Sequence, residues 1–140
     1  MNDFEKNVFI AERVMGWTVY LEPHGDECVF PHVDVLRGSL VYSLDSLISF
    51  IPYDPLHNIS QALDAIECYR LNWKPSFTLS DGQRRLISSN SCFWELTSPC
   101  LQVCGQGKWS VIISENEHFV FADTPAAAIC EALLLAINHA

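Results

Sequence analysis

The chain has 140 residues, a length that fits one domain with a core of its own. Apolar residues make up 49% of it and charged residues 18%, a balance that argues against disorder. Its formal net charge of −9 disfavours nucleic acid as a direct ligand, because a phosphate backbone is bound by clustered Lys and Arg. An acidic surface is instead typical of a soluble protein, or of one that docks on a basic protein surface.

The hydropathy pattern predicts a cytoplasmic protein. The opening stretch MNDFEKNVFIAERV is acidic and amphipathic and lacks the apolar core of a signal peptide. No apolar run reaches the roughly 18 residues that span a bilayer. The six cysteines are therefore expected to be reduced. Cys68 and Cys130 fall at apolar positions of predicted helices, where a thiol behaves as a small hydrophobe.

The chain opens with a predicted helix followed by strands. Asn2 or Asp3 can cap this helix, and Gly16 can end it by accepting the left-handed conformation. Its predicted apolar stripe consists of Phe4, Val8, Ala11 and Met15. Residues 17–21 are rich in β-formers, and residues 28–30 are a predicted return strand.

The segment from Val33 to Ile51 permits two interpretations. Residues 35–44 fit a pair of strands that turns at Gly38-Ser39, and residues 47–51 equally fit a short helix.

A second helix is predicted from Asn58 to Leu71. Asn58 is a good N-cap, and Gln61 can complete a capping box three residues on. One face of this helix is apolar and consists of Ile59, Ala62, Leu63, Ile66 and Tyr69.

The second half of the chain reads as short strands and a final helix. The strands are predicted at 77–79, 86–87, 93–96, 101–103, 109–113 and 118–122. Thr124 can cap the helix and Pro125 fits its first position, where no N–H is needed. Its apolar face consists of Ile129, Cys130, Leu133, Ala136 and Ile137. Antiparallel strands with three helices predict a single α+β domain in which helices pack on a sheet.

Residues of metal-ligand type form two groups that lack ligand geometry. The groups are His24, Cys28 and His32, and then Cys92, Cys100 and Cys104. A helix would place the first group on one face, but Pro23, Gly25 and Pro31 prevent that helix. The second group contains no Cys-x-x-Cys pair. We predict no bound metal and no cofactor.

Catalytic motifs are missing from the sequence. There is no Gly-x-Ser-x-Gly elbow, and Gly105-Gln106-Gly107 lacks the Lys and the helix of a phosphate-binding loop. We therefore predict a protein that is not an enzyme.

Aromatic and acidic residues in irregular segments are the candidates for binding a partner. Trp17 and Trp109 each begin an apolar strand and are predicted to lie in the core. Acidic loop residues can meet a basic partner, and aromatic residues can anchor an interface. The predicted partner-binding residues are Asp26, Glu27, His32, Trp73, Trp94 and Glu95.

Three segments together resemble one family. They are Ile10–Trp17 (IAERVMGW), Ile59–Glu67 (ISQALDAIE), and Trp109-Ser110-Val111 followed by Ala122–Cys130 (ADTPAAAIC). In this order they resemble the phage ABA sandwich domain proteins. The resemblance implies a small phage or prophage protein with an antiparallel β-sheet between helices, and it implies no catalytic residues. Relative to compact members, the single domain 1–140 has insertions at about 24–52 and 81–107.

These observations favour a non-enzymatic phage or prophage accessory protein in the cytoplasm of the bacterial host. It is expected to bind a host protein or protein complex, for example as an inhibitor of a defence system such as CRISPR–Cas. The sequence is also compatible with a homo-oligomer. The alternative is a small-molecule or nucleotide-binding module, with a hydrolase in third place.

Overall fold

The computed structural model of the chain describes residues 1–22, 28–44, 51–72, 94–99, 107–113 and 119–138. Their elements, in chain order, are α1 (Asp3–Phe9), a π-helical turn (Ile10–Val14), β1 (Thr18–Tyr20), β2 (His32–Leu36), β3 (Ser39–Ser43), β4 (Ile51–Pro52), α2 (Ile59–Asn72), β5 (Trp94–Thr97), β6 (Trp109–Ile113), β7 (Phe119–Ala122) and α3 (Pro125–Asn138). The predicted α+β class is confirmed. In this part of the chain, no helix combines the length and the hydrophobicity needed to cross a bilayer.

Each helix begins at a side chain that caps its free amides. Asn2 accepts a hydrogen bond from the Glu5 N–H at 2.8 Å, and Thr124 accepts one from the Ala127 N–H at 3.2 Å. Asn58 accepts from the Gln61 N–H at 3.1 Å. The reciprocal half of that capping box is not formed in the way predicted. The Gln61 side chain accepts from the Asp54 N–H and donates to the Pro52 carbonyl, so it holds the preceding turn.

The first helix buries a different side from the predicted stripe. After Phe9 the helix widens into the π-helical turn, and Gly16 ends it at φ +72° as predicted. The buried side chains are Asn7, Ile10, Ala11 and Val14, whereas Phe4, Val8 and Met15 are only partly buried. The predicted stripe was built from apolar residues alone, so it omitted Asn7, a polar side chain that is buried because Asp54 and the Leu56 N–H are its partners.

One sheet has four strands in the order β1-β2-β3-β4. The hairpin between β2 and β3 confirms the predicted strand pair. It turns at Arg37 (φ 53°) and Gly38 (φ 79°), as a type I′ turn requires, which is one residue before the predicted Gly38-Ser39. The predicted return strand at 28–30 is wrong. The strand begins at His32 and pairs parallel with β1, with Thr18 opposite His32. The alternative helix at 47–51 falls largely outside the described residues.

The second sheet has three antiparallel strands in the order β5-β6-β7. The predicted strand at 109–113 is confirmed, and those at 93–96 and 118–122 are found as β5 and β7. The predicted strands at 77–79, 86–87 and 101–103 lie outside the described residues. β2 and β3 fall within the predicted insertion at 24–52, and β5 falls within the one at 81–107. Both segments therefore supply strands to the fold.

The core lies between α3, the β5-β6-β7 sheet, α2 and the π-helical turn. Leu133 and Ile66 are both fully buried, as their apolar stripes predict. The prediction that the helices pack on a sheet holds for α3, which packs on β6 and β7, whereas α2 packs mainly on α3 and the π-helical turn. Cys130 is fully buried in this core. Trp17 is partly buried and stacks on Tyr42, with the ring centroids 5.0 Å apart.

Candidate functional site

Three of the six predicted partner-binding residues are described, and they lie on two different sheets: His32 on β2, and Trp94 and Glu95 on β5. Asp26, Glu27 and Trp73 lie outside the described residues. Their assignment stays a prediction.

His32 was expected at the surface, and that prediction is wrong, because it is only 4% exposed. It begins β2 directly after the cis Phe30–Pro31 peptide bond, between the rings of Phe30 and Tyr20. Its Nε2 lies 2.8 Å from Asp34 Oδ2. This burial removes His32 from the set of surface contacts.

Trp94 and Glu95 are neighbours on β5 and therefore point to opposite faces of the sheet. Trp94 points inward, where its indole N–H donates to Glu67 Oε1 at 2.9 Å and so joins β5 to α2. The same carboxylate accepts from Arg70 Nε at 2.9 Å. These donors, Trp94 first, hold the pKa of Glu67 below its ordinary value. The Trp94 side chain therefore packs against the core, whereas the Glu95 side chain is exposed to solvent.

Glu95 belongs to a surface that we call the outer face, the side of the β5-β6-β7 sheet turned away from α3. Strand register places its residues in two cross-strand rows: Glu95, Ile112 and Phe119, and then Thr97, Ser110 and Phe121. Of these, Glu95, Phe119 and Phe121 are exposed, Thr97 and Ile112 are partly buried, and Ser110 is buried. Phe119 is 61% exposed and Phe121 47% exposed, and their rings lie 6.3 Å apart. Large exposed aromatic side chains next to one another are unusual on a surface that contacts only water.

The two phenylalanines were missed from the sequence, although a signal was present. In His118–Ala122 (HFVFA) a large apolar residue occupies every position from Phe119 to Phe121. A half-buried strand alternates apolar and polar residues, so this run indicated apolar side chains on both faces. The three apolar residues do not by themselves indicate which face of β7 is covered by α3.

Beside β7 lies a cleft of about 620 Å³, which we call the edge cleft. One wall is formed by the consecutive residues 120–124 and the start of α3, and the other by α1 and the turn before α2. Its lining residues include Asp3, Lys6, Leu56, His57, Lys108 and Glu131.

Charged side chains in the edge cleft are largely paired with each other. Lys6 Nζ lies 2.5 Å from Glu131 Oε1, and this hydrogen bond is the main reason that the pKa of Lys6 is raised. Lys108 Nζ lies 3.9 Å from Asp123 Oδ1. The result is a mixed surface rather than a cationic one.

His57 stands where the edge cleft meets a smaller cleft of about 280 Å³, which it lines together with Asp3. Its Nδ1 lies 2.9 Å from Asp54 Oδ2, and that hydrogen bond raises the pKa of His57. Asp54 also accepts from Asn7 Nδ2 at 2.9 Å. Asp54 therefore ties this turn to α1.

Neither the Cys130 thiol nor a cluster of metal ligands supplies a reactive site among the described residues. Burial raises the pKa of the Cys130 thiol to about 12, so it is not a thiolate nucleophile at neutral pH. Within the described ranges, no three His, Cys, Asp or Glu side chains are grouped as metal ligands. That finding does not reach His24, Cys92, Cys100 or Cys104, so the predicted lack of a metal stays a prediction.

Comparison with solved structures places the fold beside that of a phage protein from Bacillus cereus ATCC 14579. The two share 17% sequence identity with a TM-score of 0.51, and the match covers 99% of this chain and 89% of the other. At this level of sequence identity, the similarity is evidence for a shared fold only. No family model and no curated protein matches the sequence. Membership of the phage ABA sandwich family therefore stays a prediction.

Proposed function

We propose that this chain is a phage or prophage accessory protein that acts by binding a host protein, without catalysing a reaction. The observation that carries the proposal is the outer face, where Phe119 and Phe121 are exposed in adjacent rows and Glu95 is exposed two strands away, in the row of Phe119. The fold that it shares with a phage protein supports the biological setting.

The outer face has the composition of a protein-binding surface. Aromatic side chains dominate the energetics of interfaces, and covering each exposed phenylalanine is worth about 1.5–3 kcal/mol at full burial. Glu95 and the net charge of −9 favour a partner with a basic rim, since complementary charge accelerates association. Inhibition of a host defence complex such as CRISPR–Cas is one concrete form of this function, because such complexes present basic surfaces to nucleic acid. The protein would then act in the cytoplasm of the bacterial host.

Nucleotide binding is the alternative function, and the edge cleft is the candidate binding site for it. The exposed carboxylates of Asp3 and Asp123 in this cleft would repel a phosphate group. A protein partner is therefore preferred.

Affinity capture from a bacterial host lysate tests the proposal. The immobilised chain is compared with a variant carrying Phe119→Ser and Phe121→Ser, and bound proteins are identified by mass spectrometry. The matched control carries Leu36→Ser and Leu71→Ser, which remove two similarly exposed apolar side chains outside the outer face. Thermal melting checks that every variant is folded.

We expect a host protein that is retained by the parent chain and by the control but lost by the outer-face variant. Equal recovery on both variants would refute the assignment of this surface. The same capture with Asp26→Lys and Glu27→Lys tests the acidic loop residues predicted from the sequence.

A further inference from the structure

The edge of β7 is exposed to the edge cleft. Val120, Phe121 and Ala122 all line this cleft, although successive side chains of a strand point to opposite faces of the sheet. Three consecutive residues can therefore line the same cleft only if the cleft runs along the edge of their strand. β6 occupies the other edge, and no strand of the described segments pairs with this one. The cleft therefore runs along backbone N–H and C=O groups that another strand can pair with.

The cleft has the size and the lining to hold an extended chain. A paired strand lies about 4.8 Å from its neighbour, and alternate side chains of an added strand would point to opposite sides. Leu56, Val120 and Ala127 give the cleft apolar lining for one set of these side chains. The other set would point toward the outer face, beside Phe121. A volume of about 620 Å³ accommodates several residues of extended peptide.

Two exposed carboxylates give the mixed surface of the cleft positions that a basic side chain can contact. The Asp3 and Asp123 side chains are 68% and 87% exposed, and their basic neighbours, His57 and Lys108, approach them only to 3.9 Å. Lys6, by contrast, is held by Glu131. An incoming Lys or Arg can therefore reach either aspartate, and the net charge of −9 adds a long-range attraction.

We propose that the partner inserts an extended basic segment into the edge cleft, where it adds as a strand to the edge of β7. This mode of binding deepens the proposed function, on which it rests. The partner's main chain supplies hydrogen bonds to β7, and its basic side chains contact Asp3 and Asp123.

A synthetic peptide of alternating lysine and valine, labelled with fluorescein, is the probe. Fluorescence anisotropy measures its affinity beside that of two relatives, one with glutamate in place of lysine and one methylated on alternate backbone nitrogens. Methylation keeps the side chains but removes the N–H donors of one strand edge. Hydrogen exchange of residues 119–122 is followed with and without the peptide.

We expect the lysine peptide to bind, with each relative weaker by about tenfold or more. The peptide should slow amide exchange in β7. The double variant Asp3→Lys and Asp123→Lys should bind the lysine peptide more weakly by a similar factor. The control variant Asp64→Lys, on the exposed side of α2, should bind it as the parent chain does.

Three outcomes would overturn the inference. The first is that the lysine peptide does not bind, and the second is that the methylated peptide binds equally well. The third is that the β7 amides are protected from exchange to a degree that depends on protein concentration and not on the peptide. The last would mean that a second copy of the chain occupies the edge. These outcomes are separable from failure of the proposed function. A host protein captured through Phe119 and Phe121, with affinity unchanged by the aspartate replacements, would leave that function standing without strand addition.

Discussion

Truncation of Leu133 to alanine tests the packing on which the fold depends. Leu133 is fully buried in α3, the helix that covers β6 and β7 and also contacts α2. The substitution removes three carbon atoms from the core. At about 0.8 kcal/mol per buried methylene, the lost transfer free energy is roughly 2–3 kcal/mol. The unfilled cavity raises the expected cost to about 2–5 kcal/mol.

Urea unfolding followed by tryptophan fluorescence measures this cost. The free energy of unfolding should fall by that amount while the slope with urea stays constant, as a native state of unchanged compactness requires. Leu135→Ala is the matched control, because Leu135 is only partly buried and is not packed against the core cluster. It should cost less than about 1 kcal/mol. A change below about 0.5 kcal/mol for Leu133→Ala would refute the packing described above.

Four further predictions concern the polar and thiol groups. Asn7→Leu should destabilise the fold by about 1–3 kcal/mol in urea unfolding, because it leaves the Asp54 carboxylate and the Leu56 N–H without their buried partner. Cys130 should resist iodoacetamide at neutral pH in the native state and react on unfolding, as peptide mass mapping would report. His57 should titrate in an NMR experiment above its ordinary pKa of 6.5. Its pair with Asp54 stabilises the fold fully below that value and loses this effect as pH rises through the raised pKa, so Asp54→Asn should lower the pKa of His57. Elemental analysis of protein purified without chelator should find less than stoichiometric zinc, and stoichiometric zinc with unfolding on chelation would contradict this.

Features decided by neighbours in sequence could be predicted, and features decided by distant partners could not. The caps at Asn58 and Thr124 were predictable because donor and acceptor lie three residues apart. The burial of Asn7 was not, since it depends on Asp54, 47 positions away. The parallel pairing of β1 with β2 is likewise invisible to local patterns, which favour a return strand after a turn. For the candidate site, Glu95 was predicted as a surface residue, whereas the inward hydrogen bond of Trp94 depends on where α2 lies.

The contact between Lys6 and Glu131 also has a consequence for the order in which the protein is made. The two residues are 125 positions apart, so synthesis must pass Glu131 in α3 before they can meet. Until α3 emerges from the ribosome, Ile10 and Ala11 lack part of the surface that buries them. Until then, the nascent protein would expose these apolar side chains. Folding of this domain is expected to be completed cooperatively once α3 is available, with chaperone contact most useful just before that helix appears.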